Sequence, residues 1–329
     1  MDLILEGAPK HVPDFLIGGA ARGGTTTLYS YLKNSTGVFM SPEKEPHFLL
    51  VWNEQPYYKD DRGRYVADYI SYTLEDYLRQ FASARAGDLI GEASSWYLYG
   101  GERMIANTRR LYGNQARRLK IILVLRSPVD RAWSHFWLKT NRGEEHLSFA
   151  QAVRPEVVKE RLARRCSPAF DYLGMSLYSR NVEAFLGSFD AVKVLLFDDF
   201  RRDNAGTLAG IYGFLGLAVP DPFPNVKRLN TTGVPRNLGA MAVARLTYQP
   251  NALKAVLKHL IPRAYRRRVK NRLGSRLFRP PVMDPVLRRE LTGFFRPDVL
   301  RLEKVIGRDL GAWLEEPSIP EHGQPDWSG

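Results

Sequence analysis

Cysteine is almost absent from this chain. Cys166 is the single thiol among 329 residues, which excludes an intramolecular disulfide and fits a reducing compartment. No run reaches the ~18 apolar residues that a membrane-crossing helix needs. Residues 1–11 show no cationic stretch followed by an apolar one, so no secretory leader is expected there. These absences point to the cytoplasm. No repeat recurs at solenoid periods, which excludes a stacked-repeat architecture. Acidic residues are missing altogether from 251–279, a stretch that carries ten Lys and Arg (254, 258, 263, 266, 267, 268, 270, 272, 276 and 279). The rest of the chain is nearly balanced, so ten of the thirteen net positive charges sit in that stretch. What the chain has in quantity is apolar surface. Its 44% hydrophobic content, with 12% aromatics, argues against wholesale disorder, and the length suffices for one core, so one domain over 1–329 is expected.

The densest local signal lies at 14–32, D-F-L-I-G-G-A-A-R-G-G-T-T-T-L-Y-S-Y-L. Phe15, Leu16 and Ile17 form an apolar run that stops at Gly18 and Gly19, and from Thr25 onward Leu28, Tyr29 and Leu32 recur at helical spacing. Residues 22–27 therefore belong to a strand-to-helix turn. The unpaired amides of a helix start converge on one spot, the dipole favours an anion, and glycines let the backbone close on it. Thr25, Thr26 and Thr27 add hydroxyl donors and Arg22 a positive fork. A nucleotide triphosphate loop needs a Lys directly after its last glycine. Gly24 or Thr25 stands at that place and the cation precedes the glycines, which argues against a nucleotide kinase.

In a second segment, L-K-I-I-L-V-L-R-S-P-V-D-R-A-W-S-H-F-W-L at 119–138, the continuous run Ile121–Leu125 reads as a strand, near 120–125, buried on both faces of a parallel sheet. Arg126 lies at its carboxyl end, where open α/β sheets bind ligands. Pro128 suits the first turn of the helix that follows, and Ser134 sits about two turns along it. Further strands are expected near 14–18, 88–91 and 192–197, and helices near 25–33, 128–141, 178–189 and 203–215. The expected fold is P-loop-like: a three-layer α/β/α arrangement with a mainly parallel central sheet.

The cation, the glycines Gly23 and Gly24, and the threonines resemble the 5′-phosphosulfate loop of sulfotransferases that use 3′-phosphoadenosine 5′-phosphosulfate (PAPS). Arg126 and Ser134, eight residues apart, resemble the pair that clamps the 3′-phosphate in that family. Lys44-Glu45-Pro46-His47-Phe48 is similar to the K-E-x-x-F stretch of its bacterial and heparan-sulfate-type branch, where the Glu is taken as general base. Residues 91–98, G-E-A-S-S-W-Y-L, resemble the segment G-E-[KA]-[ST]-P-x-Y-[LF], with Ala93 where some members have Lys and Ser95 in place of Pro. Residues 229–236, L-N-T-T-G-V-P-R, resemble the late loop that closes over the nucleotide, with Arg236 its phosphate contact. Asp198-Asp199-Phe200 resembles a turn-ordering acidic segment, and Trp313 belongs to a similar C-terminal pattern.

The resemblance implies in-line sulfuryl transfer from PAPS, with PAP as product and no metal needed. Arg22 stands where many relatives have Lys; since Arg does not give up its proton, its implied part is electrostatic. Glu45 is the implied base, His47 its rival, and His135 ranks third because it points off the nucleotide. Insertions near 49–80 and 141–172 are expected on the acceptor side. The first carries Trp52 and six tyrosines (57, 58, 65, 69, 72 and 77), a set that stacks on sugar rings or packs as core. The basic stretch 251–279 reads as two amphipathic helices around Pro262. Three uses stay open for it: packing on the domain, lying on an anionic inner-membrane surface, or gathering an anionic acceptor. No recognition motif supports nucleic acid. The expected acceptor is a hydroxyl of a carbohydrate or glycolipid-like molecule; a phenol or other small metabolite is the alternative, and a non-catalytic nucleotide binder the rival class.

Overall fold

The structure is a computed structural model that describes residues 1–5, 7–54, 71–224 and 282–315, with the backbone of 234–235 and 278–279. A short antiparallel hairpin, β1 (Asp2–Leu5) and β2 (Ala8–His11), precedes the main sheet. That sheet holds β3 (Phe15–Gly19), β4 (Val38–Met40), β5 (Leu89–Ala93), β6 (Lys120–Leu125) and β7 (Val192–Leu196) in the order β4-β5-β3-β6-β7, every neighbouring pair parallel. A two-residue pairing of β8 (Val234–Pro235) with β9 (Phe278–Arg279) lies apart from it.

Helices α1 (Thr25–Lys33), α2 (Phe48–Val51), α3 (Leu74–Arg79) and α4 (Tyr97–Tyr112) come first. They are followed by α5 (Pro128–Asn141), α6 (Phe149–Ala152), α7 (Pro155–Ala163), α8 (Ser179–Ser188), α9 (Phe197–Arg202), α10 (Asn204–Leu215) and α11 (Pro285–Ile306). The continuous apolar runs of β3 and β6 serve both faces of the sheet, because successive side chains point to opposite sides. Leu16, Ile121, Leu123 and Leu125 join the core formed with α4, α5, α8 and α11; Phe15, Ile17, Ile122 and Val124 join the core under α1 and α10. Three layers result. A fully buried Leu, Ile or Phe contributes about 1.5–3 kcal/mol, so these two strands hold much of the fold.

From β3 the chain moves out to β4, returns to β5 beside β3, and then crosses to β6 on the other side. The carboxyl end of β3 is therefore the switch point at which open α/β sheets gather ligands. The segments around Arg22, Glu45, Ser95 and Arg126 all leave strands at this edge. Tyr178 and Ser179 at the start of α8 donate their amides to Asp298 of α11 at 2.8 and 3.1 Å, which ties the C-terminal helix to the same layer.

Several expected bounds hold and some move. α1 and α5 run as expected, whereas the strand expected at 88–91 continues to Ala93. Asp198-Asp199-Phe200, expected as a turn, forms part of α9, and Asp198 accepts the indole N–H of Trp313 at 3.3 Å. Tyr77 is fully buried, stacked on Phe48 at 4.3 Å, and Tyr72 packs against the same core; Trp52 lies on Phe48 as well. These three aromatic residues are core rather than sugar platforms. Tyr57, Tyr58, Tyr65 and Tyr69 lie outside the described residues, as do nearly all of the basic stretch 251–279 and Arg236. Among the described residues no helix is long and apolar enough to cross a membrane.

Candidate active site

The loop after β3 is fixed by backbone contacts. Ala20 N–H donates to the carbonyl of Val124 in β6 at 2.9 Å, and Gly23 N–H donates to Ala20 O at 2.9 Å. This presses Gly23 so close to β6 that a Cβ on it would lie 2.1 Å from the Val124 oxygen. Only glycine fits. Gly24 precedes α1 with φ near +105°, a conformation that glycine adopts at little cost. The amides of Thr25 and Thr26 open the helix without a backbone carbonyl partner among the described residues, so they face outward with the positive end of the dipole. Arg22, between the glycine pairs, is also held at positive φ, +73°.

The Arg22 side chain turns toward α5, where its Nε donates to Ser134 Oγ at 3.0 Å. Loop and helix, separated by more than a hundred residues, thus share one polar contact. Arg126 follows β6, its guanidinium carbon 5.1 Å from the ring centroid of Phe197, and its carbonyl accepts the Tyr178 hydroxyl at 3.1 Å. Beneath them Arg131 is wholly buried, donating to Ser176 Oγ at 2.5 Å and Tyr172 O at 2.6 Å and lying 3.0 Å from His135 Nδ1. Burial, then the charges of Arg126, Arg142 and Arg131, pulls Arg22 down to about 10. It stays a cation at neutral pH. His135, buried first and crowded by Arg131 and Lys139 next, is held far below the ordinary histidine range. The result is a cationic patch with a neutral imidazole under it, at a helix start: an anion site in its physical chemistry.

On the β5 side, the turn carrying Glu45 and His47 is strained, with φ of +71° and +52°. The segment after β5 clamps it. Glu45 N–H donates to Ala93 O at 2.8 Å, His47 N–H donates to Ser94 Oγ at 3.0 Å, and Trp96 stacks on the His47 ring at 4.3 Å. The Glu45 carboxylate accepts the Ser95 amide at 3.1 Å and hydroxyl at 2.7 Å, pairs with Lys44, and has His47 Nε2 at 3.3 Å. Burial would raise the Glu45 pKa; Lys44 and His47 outweigh it and hold the group down to about 2. Burial lowers His47 to about 4, so its ring is neutral. Glu45 keeps 21% of its side-chain surface exposed and His47 none, which leaves Glu45 as the group of the two that an incoming molecule can touch.

The chain matches no family model. It is 30% identical over 158 residues to the membrane-associated sulfotransferase kil1 of Dictyostelium discoideum, covering 46% of this chain and 30% of that protein. It is 26% identical over 250 residues to heparan sulfate glucosamine 3-O-sulfotransferase 3A1 of Mus musculus, covering 72% and 57%. A solved sulfotransferase from Alicyclobacillus acidocaldarius superposes with a TM-score of 0.67 at 29% identity, over 93% of this chain and 100% of that one. The chain is thus similar to sulfotransferases in sequence and, with the bacterial structure, in fold over nearly its whole length. The chain spans about a third to three-fifths of the length of these two curated relatives, and all of the bacterial structure.

Within this fold the sequence-expected residues fall into two groups. Arg22, Gly23, Gly24, Thr25, Thr26, Thr27, Arg126 and Ser134 border the carboxyl ends of β3 and β6; Glu45 and His47 border those of β4 and β5. What sequence reasoning missed is the second clamp. Ser94, Ser95 and Trp96 grip the Glu45 turn, and Glu92, completely buried, accepts hydroxyls from Tyr97 at 2.8 Å and Tyr77 at 3.0 Å. The Ser95 position was visible as a departure from proline, which is the signal that could have exposed it.

Proposed function

We propose that the chain moves the sulfuryl group of PAPS to a hydroxyl of a carbohydrate or glycolipid-like acceptor by in-line transfer. The observation that carries this reading is the junction of Arg22 with Ser134 beside an amide-lined turn, 3.0 Å apart, with the partly exposed Glu45 after β4 at the same edge of the sheet. The loop amides and the hydroxyls of Thr25, Thr26 and Thr27 suit the 5′-phosphosulfate, and Arg126 with Ser134 suits the 3′-phosphate; Arg236 is proposed as a further phosphate contact. Crowded arginines repel one another, and an anion relieves that repulsion, which favours a multiply charged donor. The new oxygen–sulfur bond forms as the sulfur–oxygen bond to the 5′-phosphate breaks, and PAP leaves with the electron pair. Arg22 stabilises charge on that leaving oxygen, an effect worth 10²–10³-fold, by order of magnitude, for one such donor. Glu45 takes the acceptor proton, and His47 orients Glu45 from below. The carbohydrate acceptor draws support from the heparan sulfate relatives and from Glu45, which suits removal of the proton of an alcohol. Peripheral contact with an anionic surface through 251–279 is part of the proposal.

PAP should raise the melting temperature in the absence of metal, and Arg126→Ala should abolish the shift. A ligand at about 100 times its dissociation constant adds roughly 2.7 kcal/mol. An equal shift from AMP, which lacks the 3′-phosphate, overturns the donor assignment. Transfer from radiolabelled PAPS to simple phenols, with none to sugars or glycolipids, overturns the acceptor while leaving the donor standing.

A further inference from the structure

The two oxygens of Glu45 stand in different surroundings. Oε2 receives the Ser95 amide at 3.1 Å and the Ser95 hydroxyl at 2.7 Å, with His47 Nε2 at 3.3 Å. Oε1 meets the Lys44 ammonium. Ser95 is buried, and the segment that carries it is fastened to the central strand by the Ser94 amide, which donates to Ile17 O at 3.1 Å. Lys44 is a point charge on a flexible four-carbon stem with a fifth of its side chain exposed. One oxygen is therefore fixed by rigid donors, and the other is covered by a group that can swing aside.

We propose that Ser95 is a positioning residue for the transfer reaction: with its amide and hydroxyl it anchors Oε2, so that Oε1, once Lys44 turns away, is the atom that accepts the proton of the acceptor hydroxyl. The proposal rests on Glu45 as the base. Bond and proton balance close within it, because the acceptor oxygen bonds to sulfur, the sulfur–phosphate oxygen bond breaks with its pair going to PAP, and the acceptor proton goes to Oε1. A proline at this position, as in the segment that 91–98 resembles, supplies neither the amide nor the hydroxyl. The anchoring is thus a property of this chain's own serine. Two donors on Oε2 also restrain rotation of the carboxylate, which holds Oε1 in one orientation.

The test uses the full chain as wild type, Ser95→Ala, Ser95→Thr and Glu45→Gln, each labelled with ¹³C at the glutamate δ-carboxyls. The Glu45 resonance is the one missing from Glu45→Gln. In Ser95→Ala it should shift and begin to titrate at higher pH than in wild type; in Ser95→Thr, which keeps the hydroxyl, it should stay near its wild-type position. With radiolabelled PAPS and a desulfated heparan oligosaccharide, Ser95→Ala should lose roughly tenfold in kcat, the scale of one hydrogen bond. The KM for PAPS should hold, and Ser95→Thr should recover most of the loss. A Glu45 resonance unmoved in Ser95→Ala, while Glu45→Gln is inactive, overturns the anchoring and spares the base. Near-normal turnover in Glu45→Gln overturns the base itself, and a Ser95→Thr no better than Ser95→Ala reduces Ser95 to a packing residue.

Discussion

Glu45 and Glu92 lie close enough to feel each other's charge, and their surroundings drive them apart. Burial penalises both charged forms. At Glu45, Lys44, His47 and the hydrogen bonds from Lys44 and Ser95 overcome that penalty, and the group falls to about 2. At Glu92 burial dominates, the hydrogen bonds from Ser94, Tyr97 and Tyr77 only partly oppose it, and Glu45 adds to it, so the group rises to about 7 from an ordinary 4.5. One carboxyl is ionised at neutral pH, and the other still holds its proton well above the ordinary carboxylate range. The stability consequences have opposite signs. Between pH 4.5 and 7 the folded chain holds the Glu92 proton that the unfolded chain has released, so this group's contribution falls as pH rises through that window and is flat above it. Glu45 contributes stability above its unfolded value that is lost as pH falls toward 2. His47, lowered to about 4, contributes stability lost as pH falls from about 6.5. Glu92→Gln keeps the neutral shape, so its stability relative to wild type should increase from pH 5 to pH 8, by roughly 3 kcal/mol at most. Urea unfolding at the two pH values measures it, and parallel pH profiles for the two proteins would refute the assignment. Glu45→Gln should cost 10²- to 10⁴-fold in kcat, the range for a general base, with PAP affinity unchanged. If turnover instead survives in Glu45→Gln and vanishes in His47→Ala, the base is His47.

The loop after β3 is the element on which the donor reading depends, and its geometry makes a sharp demand. Alanine at position 23 would meet the Val124 carbonyl at 2.1 Å, so either the loop or β6 has to move, costing about 1–3 kcal/mol. Because α1 starts at the same loop, its first amides move too. Gly23→Ala should therefore weaken PAP binding at least tenfold, measured by calorimetry, alongside the stability loss. Gly187→Ala in α8, where an added Cβ meets nothing within 4 Å, is the control that should hold or gain slightly in stability. Equal behaviour of the two variants would sink the close-approach argument. This loop was legible in the sequence because its parts are contiguous: an apolar run, a cation, glycines, threonines and a helical period. β6 and α5 were legible for the same reason, the strand by its unbroken apolar run and the helix by Pro128 at its first turn. The three-residue β4 and the β1–β2 hairpin were not, since elements so short carry no period of their own and depend on the neighbours they pair with. Likewise Glu45 was nameable from its own pentapeptide, but its hold by Ser95 spans fifty residues and exists only after β4 and β5 lie side by side. Tyr77 left both readings open for a related reason: an aromatic residue looks alike whether it faces a sugar or, as here, Phe48 and Glu92.

At the scale of the whole chain, ten of the thirteen net positive charges lie in 251–279 and a separate group of arginines lies at the candidate site, with different consequences. The charges of Arg126, Arg142 and Arg131 act on the buried Arg22 at short range, where salt screens them less than it does exposed charges. The ten cations of 251–279 come with no acid among them and with apolar residues at helical spacing, and the proposed contact with an anionic surface rests on this pattern. A basic residue near such a surface is worth about 1 kcal/mol, and the attraction decays within a Debye length of about 8 Å at physiological salt. Both a lipid-linked acceptor and a sulfated or carboxylated polymer would be drawn to the protein by this charge, yet only the lipid is held in a sedimenting phase. The protein should therefore pellet with phosphatidylserine vesicles at low salt, stay in solution with phosphatidylcholine vesicles, and lose the first interaction at high salt. Neutralising the six cations between 263 and 272 should abolish pelleting while PAP still raises the melting temperature, because the residues proposed for the donor site lie elsewhere in the sequence. Pelleting that survives the six substitutions unchanged removes 251–279 from membrane contact, and a simultaneous loss of the PAP shift shows instead that the segment belongs to the nucleotide site.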